Sequence, residues 1–249
     1  MNKPIQILVN GAFGKMGKMA CETLGKHPHF QLVAQLGREH DLCAEIEKST
    51  PDIVLDLTRA DCIWHNCQTY TKYPIRFVVG TSGLDQNQIE WLTKTCELNR
   101  QGAMIVPNFS IGAVLTMQFA QYAAKWFDGV DIIEMHHHQK LDSPSGTAIR
   151  TAELIHQSKP DWPKINDTPQ PGRETFVHHI PIHSVRMPGV LAYQQILFGQ
   201  LGETIQLSHQ IIDRTAYMPG IVLACQQVIK RQQLVIGLEE CLFKKEHHG

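Results

Sequence analysis

The chain has 249 residues, of which 43% are hydrophobic and 19% are charged, and its formal net charge is −1. These values are typical of a globular protein with one large domain or two small ones, and they give no global field that would attract nucleic acid or an anionic membrane. The 7 cysteines are scattered without a C-x-x-C pair, no apolar run approaches the roughly 20 residues of a membrane span, and no signal peptide precedes the first strand. We therefore expect free thiols and a cytoplasmic protein that binds neither nucleic acid nor membrane.

The amino-terminal segment predicts a strand, a glycine-rich turn, a helix and a second strand. The two strands cover residues 5–9 and 30–36, and the turn between them reads Gly11-Ala12-Phe13-Gly14-Lys15-Met16-Gly17. The first glycine permits a tight turn, the second lets the backbone approach a pyrophosphate, and the third lets the helix pack close to the sheet. The pattern favours dinucleotide binding, with a plain glycine-rich turn as the alternative.

The end of the second strand bears on which dinucleotide binds. An acidic residue there bonds the ribose 2′-hydroxyl of NAD, whereas an arginine accommodates the 2′-phosphate of NADP. This strand ends in Leu36-Gly37-Arg38-Glu39, so the arginine is present and the acid comes one place late. We favour NADPH over NADH, and a solvated surface charge is the alternative interpretation of Arg38.

Strands and helices alternate through the rest of the amino-terminal half. Three strands are predicted at residues 53–58, 75–79 and 103–106, between helices at 41–48, 61–73 and 85–99. This alternation predicts an α/β fold with a Rossmann-like, doubly wound parallel sheet. Ligands bind past the carboxyl ends of such strands, so the residues that follow each strand are expected to line one crevice with the glycine-rich turn. They are Thr58, Gly80-Thr81-Ser82 and Asn108-Phe109-Ser110.

The second half of the chain predicts a smaller α+β domain with an open mixed sheet. An Ala- and Met-rich helix at 111–127 should be buried, and a strand at 130–135, a helix at 147–157 and an irregular proline-rich loop at 158–176 follow. Further strands are predicted at 177–186, 193–198 and 203–211, before a helix at 216–232 and a last segment that returns to the first domain. We predict a dinucleotide-binding domain of residues 1–107 and 217–249, and a substrate-binding and oligomerisation domain of residues 108–216.

A polar loop between the strand at 130–135 and the next helix concentrates groups that carry chemistry. It reads Glu134-Met135-His136-His137-His138-Gln139-Lys140-Leu141-Asp142-Ser143-Pro144-Ser145-Gly146-Thr147. Helix amino termini bind anions, so Lys140 just before one predicts a pocket for a carboxylate or phosphate. His136 and His138, with Asp142, form an incomplete metal-ligand set, and we assign no metal; a solvated His-rich loop is the other alternative.

The glycine-rich turn and the polar loop together resemble the 4-hydroxy-tetrahydrodipicolinate reductase (dihydrodipicolinate reductase) family. Gly80-Thr81-Ser82-Gly83, Asn108-Phe109-Ser110 and Val185-Arg186 also match, in the same order along the chain. The resemblance implies NADPH- or NADH-dependent reduction of a cyclic imine-like dicarboxylate to tetrahydrodipicolinate, in lysine and diaminopimelate biosynthesis, by a homotetramer.

The resemblance also implies roles for individual residues. His136 would be the acid/base, Lys140 the proton donor, and His137, Gly146 and Thr147 substrate contacts. The implied cofactor positions are Gly11, Ala12, Phe13, Gly14, Lys15, Met16, Arg38, Gly80, Thr81, Ser82, Pro107, Asn108, Phe109 and Ser110. His138 and Gln139 depart from the common family pattern, and we give them no role.

The sequence alone leaves two other functions open. One is a different two-domain oxidoreductase that acts on another small amino-acid-derived substrate, and the other is a dinucleotide-sensing module without turnover. Substitution of Lys140 or His136 would separate them, because a sensor has no turnover to lose.

Overall fold

The computed structural model describes residues 3–161 and 175–243. The chain forms two compact units, one of Met1–Ser110 with Tyr217–Gly249 and the other of Ile111–Ala216. The first passage between units therefore falls at Ser110, slightly later than the predicted boundary at residue 107.

Unit 1 is built on a six-stranded parallel sheet. The strands are β1 (Ile5–Asn10), β2 (Phe30–Leu36), β3 (Ile53–Asp56), β4 (Arg76–Val79), β5 (Ala103–Ile105) and β11 (Leu234–Ile236), and their order across the sheet is β11-β5-β4-β3-β1-β2. The short apolar central strands β3, β4 and β5 are almost entirely buried, as expected of a sheet covered on both faces, whereas the edge strand β2 is partly exposed along most of its length. This arrangement confirms the predicted Rossmann-like sheet.

Two of the helices of unit 1 begin at an aspartate that caps the first turn. Asp41 caps one through the Ala44 amide, and Asp85 forms a capping box with Gln88. The helices are α1 (Lys15–Lys26), α2 (Leu42–Ser49), α3 (Ile63–Tyr70), α4 (Gln86–Leu98), α7 (Met218–Val228) and α8 (Glu239–Phe243). The helix predicted at 61–73 is shorter at both ends, and the one predicted at 216–232 starts after a 3₁₀ turn at Arg214–Tyr217.

Unit 2 contains a five-stranded mixed sheet in the order β10-β9-β6-β8-β7. Only the β6–β8 pair is parallel among these strands. Helices α5 and α6 cover one face over a core that includes Val130, Ile132 and Phe198. The elements are α5 (Ile111–Ala123), β6 (Gly129–His136), α6 (Gly146–Ser158), β7 (Thr175–Val177), β8 (Ile180–Arg186), β9 (Ala192–Gln200) and β10 (Glu203–Ile211).

Unit 2 differs from the sequence prediction in two places. The strand predicted at 177–186 is two strands, because His178 and His179 both adopt positive φ and turn the chain between β7 and β8. Helix α5 is buried along only part of its surface, since Phe119 and Tyr122 are more than half exposed. Most of the loop predicted at 158–176 lies outside the described residues.

None of the helices in the described parts of the chain combines the length and the apolar character that crossing a membrane requires.

Candidate active site

The carboxyl ends of the central strands of unit 1 lie side by side. Asn10 pairs with Asp56, Asp56 with Val79, and Val79 with Ile105, so the segments that follow these residues meet at one edge of the sheet. Gly11 has a φ of +83°, and a β-carbon there would lie 2.6 Å from the Leu57 carbonyl group. The glycine-rich turn therefore packs directly on the backbone that leaves β3.

The amino terminus of α1 opens immediately after this turn. Its N-cap residue is Gly14, which has no side chain to accept a bond from the first helical amides. A β-carbon on Gly17 would lie 2.1 Å from the Gly11 carbonyl oxygen, so only glycine lets the helix start this close to the turn. A ligand can come close to the backbone at this glycine-rich turn, and the amino terminus of α1 carries a partial positive charge. Both features suit the pyrophosphate of a dinucleotide.

The segments after β4 and β5 also contact each other. A β-carbon on Gly80 would lie 2.4 Å from the ring of Phe109, which is buried. The Asn108 side chain accepts a hydrogen bond from the Ser110 amide at 2.8 Å. The Thr81 hydroxyl oxygen is buried without a hydrogen-bond partner among the described residues, so this edge of the sheet holds a polar group that a ligand can satisfy.

The residues after β2 lie on the other side of the glycine-rich turn. The Gly11 and Ala12 amides donate to the Leu36 carbonyl at 3.0 and 2.9 Å. The half-exposed ring of Phe13 occupies the space where Gly37 would carry a side chain. Arg38 is exposed two places beyond the strand, next to this turn.

The other predicted cofactor positions of unit 1 form the rim of the same edge. Ala12 is buried and Met16 is partly buried, whereas Gly14, Lys15, Ser82 and Pro107 are exposed. All the residues predicted to bind the cofactor thus lie at one edge of the sheet in unit 1. Their roles in binding stay a prediction.

A buried network that the sequence analysis did not identify underlies this edge. The carboxylate of Asp56, at the end of β3, is fully buried and accepts hydrogen bonds from Tyr70 at 2.6 Å, Asn66 at 2.9 Å and the Thr58 amide at 2.9 Å. Burial, with the adjacent Asp56 charge, raises the pKa of Tyr70 well above its usual value. The network fixes the Thr58 backbone against which Gly11 packs.

In unit 2, strand β6 delivers the polar loop to the amino terminus of α6. Ser145 is the N-cap, and its hydroxyl accepts a bond from the Ala148 amide at 3.2 Å. Gly146 and Thr147 are the first helical residues, and a β-carbon at Gly146 would meet open space. The exposed start of α6 therefore presents a positive helix end to an approaching anion.

Strand β6 ends in a linked carboxylate and imidazole. The Glu134 side chain is fully buried, and His136 Nδ1 lies 2.5 Å from its Oε2 atom. Arg186 on β8 grips both carboxylate oxygens, with NH1 donating to Oε2 at 2.9 Å and NH2 to Oε1 at 2.8 Å. Burial acts to raise the pKa of Glu134, but the hydrogen bonds from His136, Arg186 and Ser184 outweigh it and lower that pKa to about 2.

Lys140 does not extend into solvent. Its ammonium donates to both oxygens of Asp142 at 2.7 Å, and its side chain is 21% exposed. Partial burial acts against the charge of Asp142, but the Lys140 ammonium prevails and lowers the pKa of that carboxyl. Desolvation and the neighbouring His136 lower the pKa of His137, so His137 is a neutral donor or acceptor near neutral pH.

A metal site does not form in the part of the chain that the structure describes, where no three side chains among His, Cys, Asp and Glu are grouped to hold an ion. The ligand set considered for His136, His138 and Asp142 is not assembled, because His136 is bound to Glu134 and Asp142 to Lys140.

Two functional candidates, Glu134 and Asp56, were missed by reasoning from sequence. Glu134 occurs at the start of the polar loop and Arg186 matches the family, but only the register of β6 with β8 pairs them. An acidic residue at the end of a buried strand was the available signal for Asp56.

A parallel sheet with this glycine-rich turn, in a chain that also has a mixed-sheet unit with a polar loop of His, Lys and Asp, is the arrangement of a two-unit oxidoreductase with a nicotinamide cofactor. Models for the amino terminus and the carboxyl terminus of dihydrodipicolinate reductase match residues 5–109 and 112–242, respectively. The chain belongs to the dihydrodipicolinate reductase family.

Full-length relatives agree with this assignment. The 4-hydroxy-tetrahydrodipicolinate reductase of Legionella pneumophila is 51% identical, with 95% of this chain and 99% of that protein covered. The enzyme of the same name from Coxiella burnetii is 42% identical, with 96% and 99% covered. A dipicolinate-bound dihydrodipicolinate reductase from Paenisporosarcina sp. TG-14 superposes with a TM-score of 0.84 at 37% identity, covering 96% of this chain and 99% of that one.

Proposed function

We propose that this chain converts 4-hydroxy-tetrahydrodipicolinate to tetrahydrodipicolinate with a reduced nicotinamide cofactor, as a step of lysine and diaminopimelate biosynthesis. The 4-hydroxyl group leaves as water to give dihydrodipicolinate, which then takes up a hydride and a proton. The observation that carries the proposal is the polar loop of unit 2. It combines the Lys140 ammonium, the His136 imidazole and the α6 amino terminus in a member of this reductase family.

Unit 1 has the features that a nicotinamide dinucleotide needs. Gly11 and Gly17 let the turn pack closely at the start of α1, and Gly14 between them is exposed. The Thr81 hydroxyl at the same sheet edge lacks a hydrogen-bond partner among the described residues. We assign the pyrophosphate to the turn from Gly11 to Met16, and the rest of the dinucleotide to the segments after β4 and β5. When bound, the reduced nicotinamide supplies a hydride.

The loop of unit 2 suits a small dicarboxylate. A carboxylate near the Gly146 and Thr147 amides gains roughly 0.3–1 kcal/mol or more from the helix dipole. Gly146 adds close backbone access, because nothing lies within 4 Å of the position of a β-carbon there. His137 lies one residue beyond β6 and is neutral near pH 7, so it can hydrogen-bond the substrate without a charge of its own.

Lys140 and His136 supply the proton chemistry in this proposal. Negative charge accumulates on the conjugated imine as it is reduced, and a nearby ammonium stabilises that charge and donates the proton. Asp142 holds the Lys140 ammonium in place at 2.7 Å, and a substrate carboxylate can compete for it because Asp142 is 60% exposed. His136 then serves as the acid/base partner beside Lys140.

We favour NADPH as the cofactor. Arg38 follows β2 at the position where an arginine accommodates a 2′-phosphate, and Gly37 stands where an acid would bind a 2′-hydroxyl. The Arg38 side chain is exposed, so its guanidinium is available to a phosphate.

One assay tests both the reaction and this preference. The absorbance of the reduced cofactor is followed with freshly made cyclic substrate, once with NADPH and once with NADH. We expect cofactor oxidation that depends on the cyclic substrate and a higher kcat/KM with NADPH. Folded protein that binds the nicotinamide but does not oxidise it in the presence of substrate would exclude the reductase and favour a sensor.

The sheet of unit 2 also supports a homotetramer, in a cytoplasmic enzyme. One face of the sheet packs on α5 and α6, whereas Ile133, Met135 and Leu197 point away from that core and stay partly exposed. The opposite face includes a hollow of about 440 Å³ lined by Ile133, His183 and Leu197. We propose that this face, which also holds the Asp131–His183 pair, packs against other copies of the chain.

A further inference from the structure

Glu134 lies beneath the polar loop, and no step proposed above assigns it a part. We propose that Glu134, held by Arg186, is the positioning residue of the reaction: it fixes the tautomer and orientation of His136 and anchors the loop that bears Lys140. This inference rests on the proposed function and assigns a role to a residue that never touches the substrate.

Hydrogen-bond geometry determines the tautomer of His136. The Glu134 carboxylate is ionised and accepts bonds only, so the proton on the facing imidazole nitrogen must be on Nδ1, 2.5 Å away. The neutral ring then has its lone pair on Nε2, which becomes the atom able to take up or pass on a proton. Without the carboxylate, either nitrogen could be protonated and the ring could rotate.

The Glu134–Arg186 pair also holds the carboxyl-terminal part of the loop. Glu134 Oε1 accepts a bond from the Ser145 amide at 3.2 Å, at the cap of α6. Arg186 NH2 donates to the Asp142 carbonyl at 2.7 Å while it also binds Glu134 Oε1. Asp142, which binds Lys140, and Ser145, the N-cap of α6, are therefore both bonded to the buried Glu134–Arg186 pair.

The charged and polar groups around Glu134 come from three elements. They are His136 on β6, Arg186 and Ser184 on β8, and the Ser145 amide at the start of α6. Each of these groups donates to the carboxylate, and together they satisfy both of its oxygens. A side chain needed only to fill the core would not require an ionised group at this position.

A second pair on the same strands provides a matched control. His183 Nε2 on β8 lies 2.6 Å from Asp131 Oδ1 on β6, but both side chains are partly exposed and away from the polar loop. Asp131→Asn removes a histidine–carboxylate bond of the same kind without touching His136 or Lys140.

The test compares Glu134→Gln with Asp131→Asn in the full-length protein. Glutamine keeps the shape but places an NH₂ donor against Arg186 and either His136 or the Ser145 amide. We expect kcat to fall by roughly 10- to 1000-fold, as when an acid/base histidine loses its orienting carboxylate, with the KM for the nicotinamide changed less than about threefold. Asp131→Asn should keep the wild-type kcat, with the native mass checked by sedimentation.

Ring ¹⁵N chemical shifts of labelled histidine provide a readout that does not depend on turnover. The His136 signals are assigned by their loss in His136→Gln. We expect wild-type His136 to be protonated on Nδ1, and Glu134→Gln to populate the other tautomer, whereas Asp131→Asn should leave His136 unchanged.

The outcomes separate a positioning role from a structural one. If Glu134→Gln does not fold, Glu134→Gln/Arg186→Gln removes the unpaired guanidinium, and a folded double variant should stay slow. A folded variant with near wild-type kcat, or wild-type His136 protonated on Nε2 alone, would overturn the inference. Absence of reductase turnover in the wild type would overturn the proposed function instead, and the ¹⁵N measurement would still decide the tautomer.

Discussion

At the residue scale, two buried carboxylates, one in each unit, hold the candidate functional residues of their own unit by different means. Asp56 is surrounded by neutral donors, including the hydroxyl of Tyr70 and the amide of Asn66. Glu134 is paired with the cation of Arg186 and also bonded to His136. The Asp56 network holds the Thr58 backbone against the glycine-rich turn, and the Glu134 pair holds the His136 imidazole.

The depressed pKa of Glu134 links stability to pH. Its pKa falls from 4.5 to about 2 on folding, so the carboxylate stabilises the fold above pH 4.5, and this contribution is lost as the pH falls towards 2. The difference corresponds to about 3 kcal/mol at neutral pH. We expect Glu134→Gln to be destabilised by about that much at pH 7, and by progressively less below pH 4.5.

Urea unfolding of wild type and Glu134→Gln at several pH values measures this effect. A stability difference that stays constant from pH 7 to pH 3 would contradict the assignment of the lowered pKa to Glu134.

At the element scale, α1 shows how a helix start makes a binding surface. Gly17 lies against the Gly11 carbonyl, whereas Gly25, near the other end of the same helix, has nothing within 4 Å of its β-carbon position. The two glycines thus differ in function although both are helical. One is required for close packing at the turn, and the other only weakens the helix.

Alanine at each glycine of α1 should have opposite effects. Gly17→Ala must displace the turn, so we expect it to lower the free energy of unfolding by about 2 kcal/mol or more and to weaken nicotinamide binding at least about tenfold. Gly25→Ala should raise the free energy of unfolding by about 0.5–1 kcal/mol and leave binding unchanged. Chemical denaturation and fluorescence titration with the reduced cofactor measure both, and equal effects of the two substitutions would contradict this account of the turn.

The strands and turns of both units show how far the fold could be predicted from the sequence. Hydrophobic periodicity and strand-end glycines predicted the parallel sheet and the edge at which its loops meet, because those signals are local. The turn at His178 and His179 was missed because residues 177–186 contain no glycine, and positive φ is uncommon for other residues although histidine is enriched there. The Glu134–Arg186 pair could not be derived, because it depends on the register between strands far apart in the chain.

The partial exposure of α5 could not be predicted from its amino-acid composition either. An Ala- and Met-rich helix is apolar enough to be buried on all sides, and only packing shows that Phe119 and Tyr122 face outward. A glycine near the start of α7 also gains its role only from packing, because a β-carbon on Gly220 would lie 1.9 Å from the Phe109 carbonyl oxygen. Gly220 therefore lets α7 pack on the segment after β5.

At the scale of the whole molecule, unit 1 needs both ends of the chain. Strand β11 pairs with β5, and Gly220 of α7 packs on Phe109, so residues after Tyr217 complete the unit that begins at the amino terminus. Unit 2 is therefore an insertion into unit 1, with an outer sheet face available for assembly.

Assembly through that face should be sensitive to a single charge. Leu197 on β9 lies directly opposite Asp131 of β6 and points away from the α5–α6 side. We expect Leu197→Lys to convert a tetramer of about four times 28.2 kDa into smaller species. Sedimentation velocity measures the mass, with Leu201→Lys at the exposed β9–β10 turn as the control. A wild-type mass equal to one chain would contradict the assembly proposal.

The Lys140 ammonium is proposed to stabilise charge and donate a proton during the reduction, and single-turnover kinetics of Lys140→Met measure how its loss changes that step. Lys125→Met, which removes an exposed lysine beyond the end of α5, is the control. With saturating substrate and cofactor, we expect Lys140→Met to slow cofactor oxidation by roughly 10²- to 10⁴-fold while cofactor affinity stays unchanged, and Lys125→Met to match the wild type. A folded Lys140→Met protein that oxidises the cofactor within a few-fold of the wild-type rate would contradict the account.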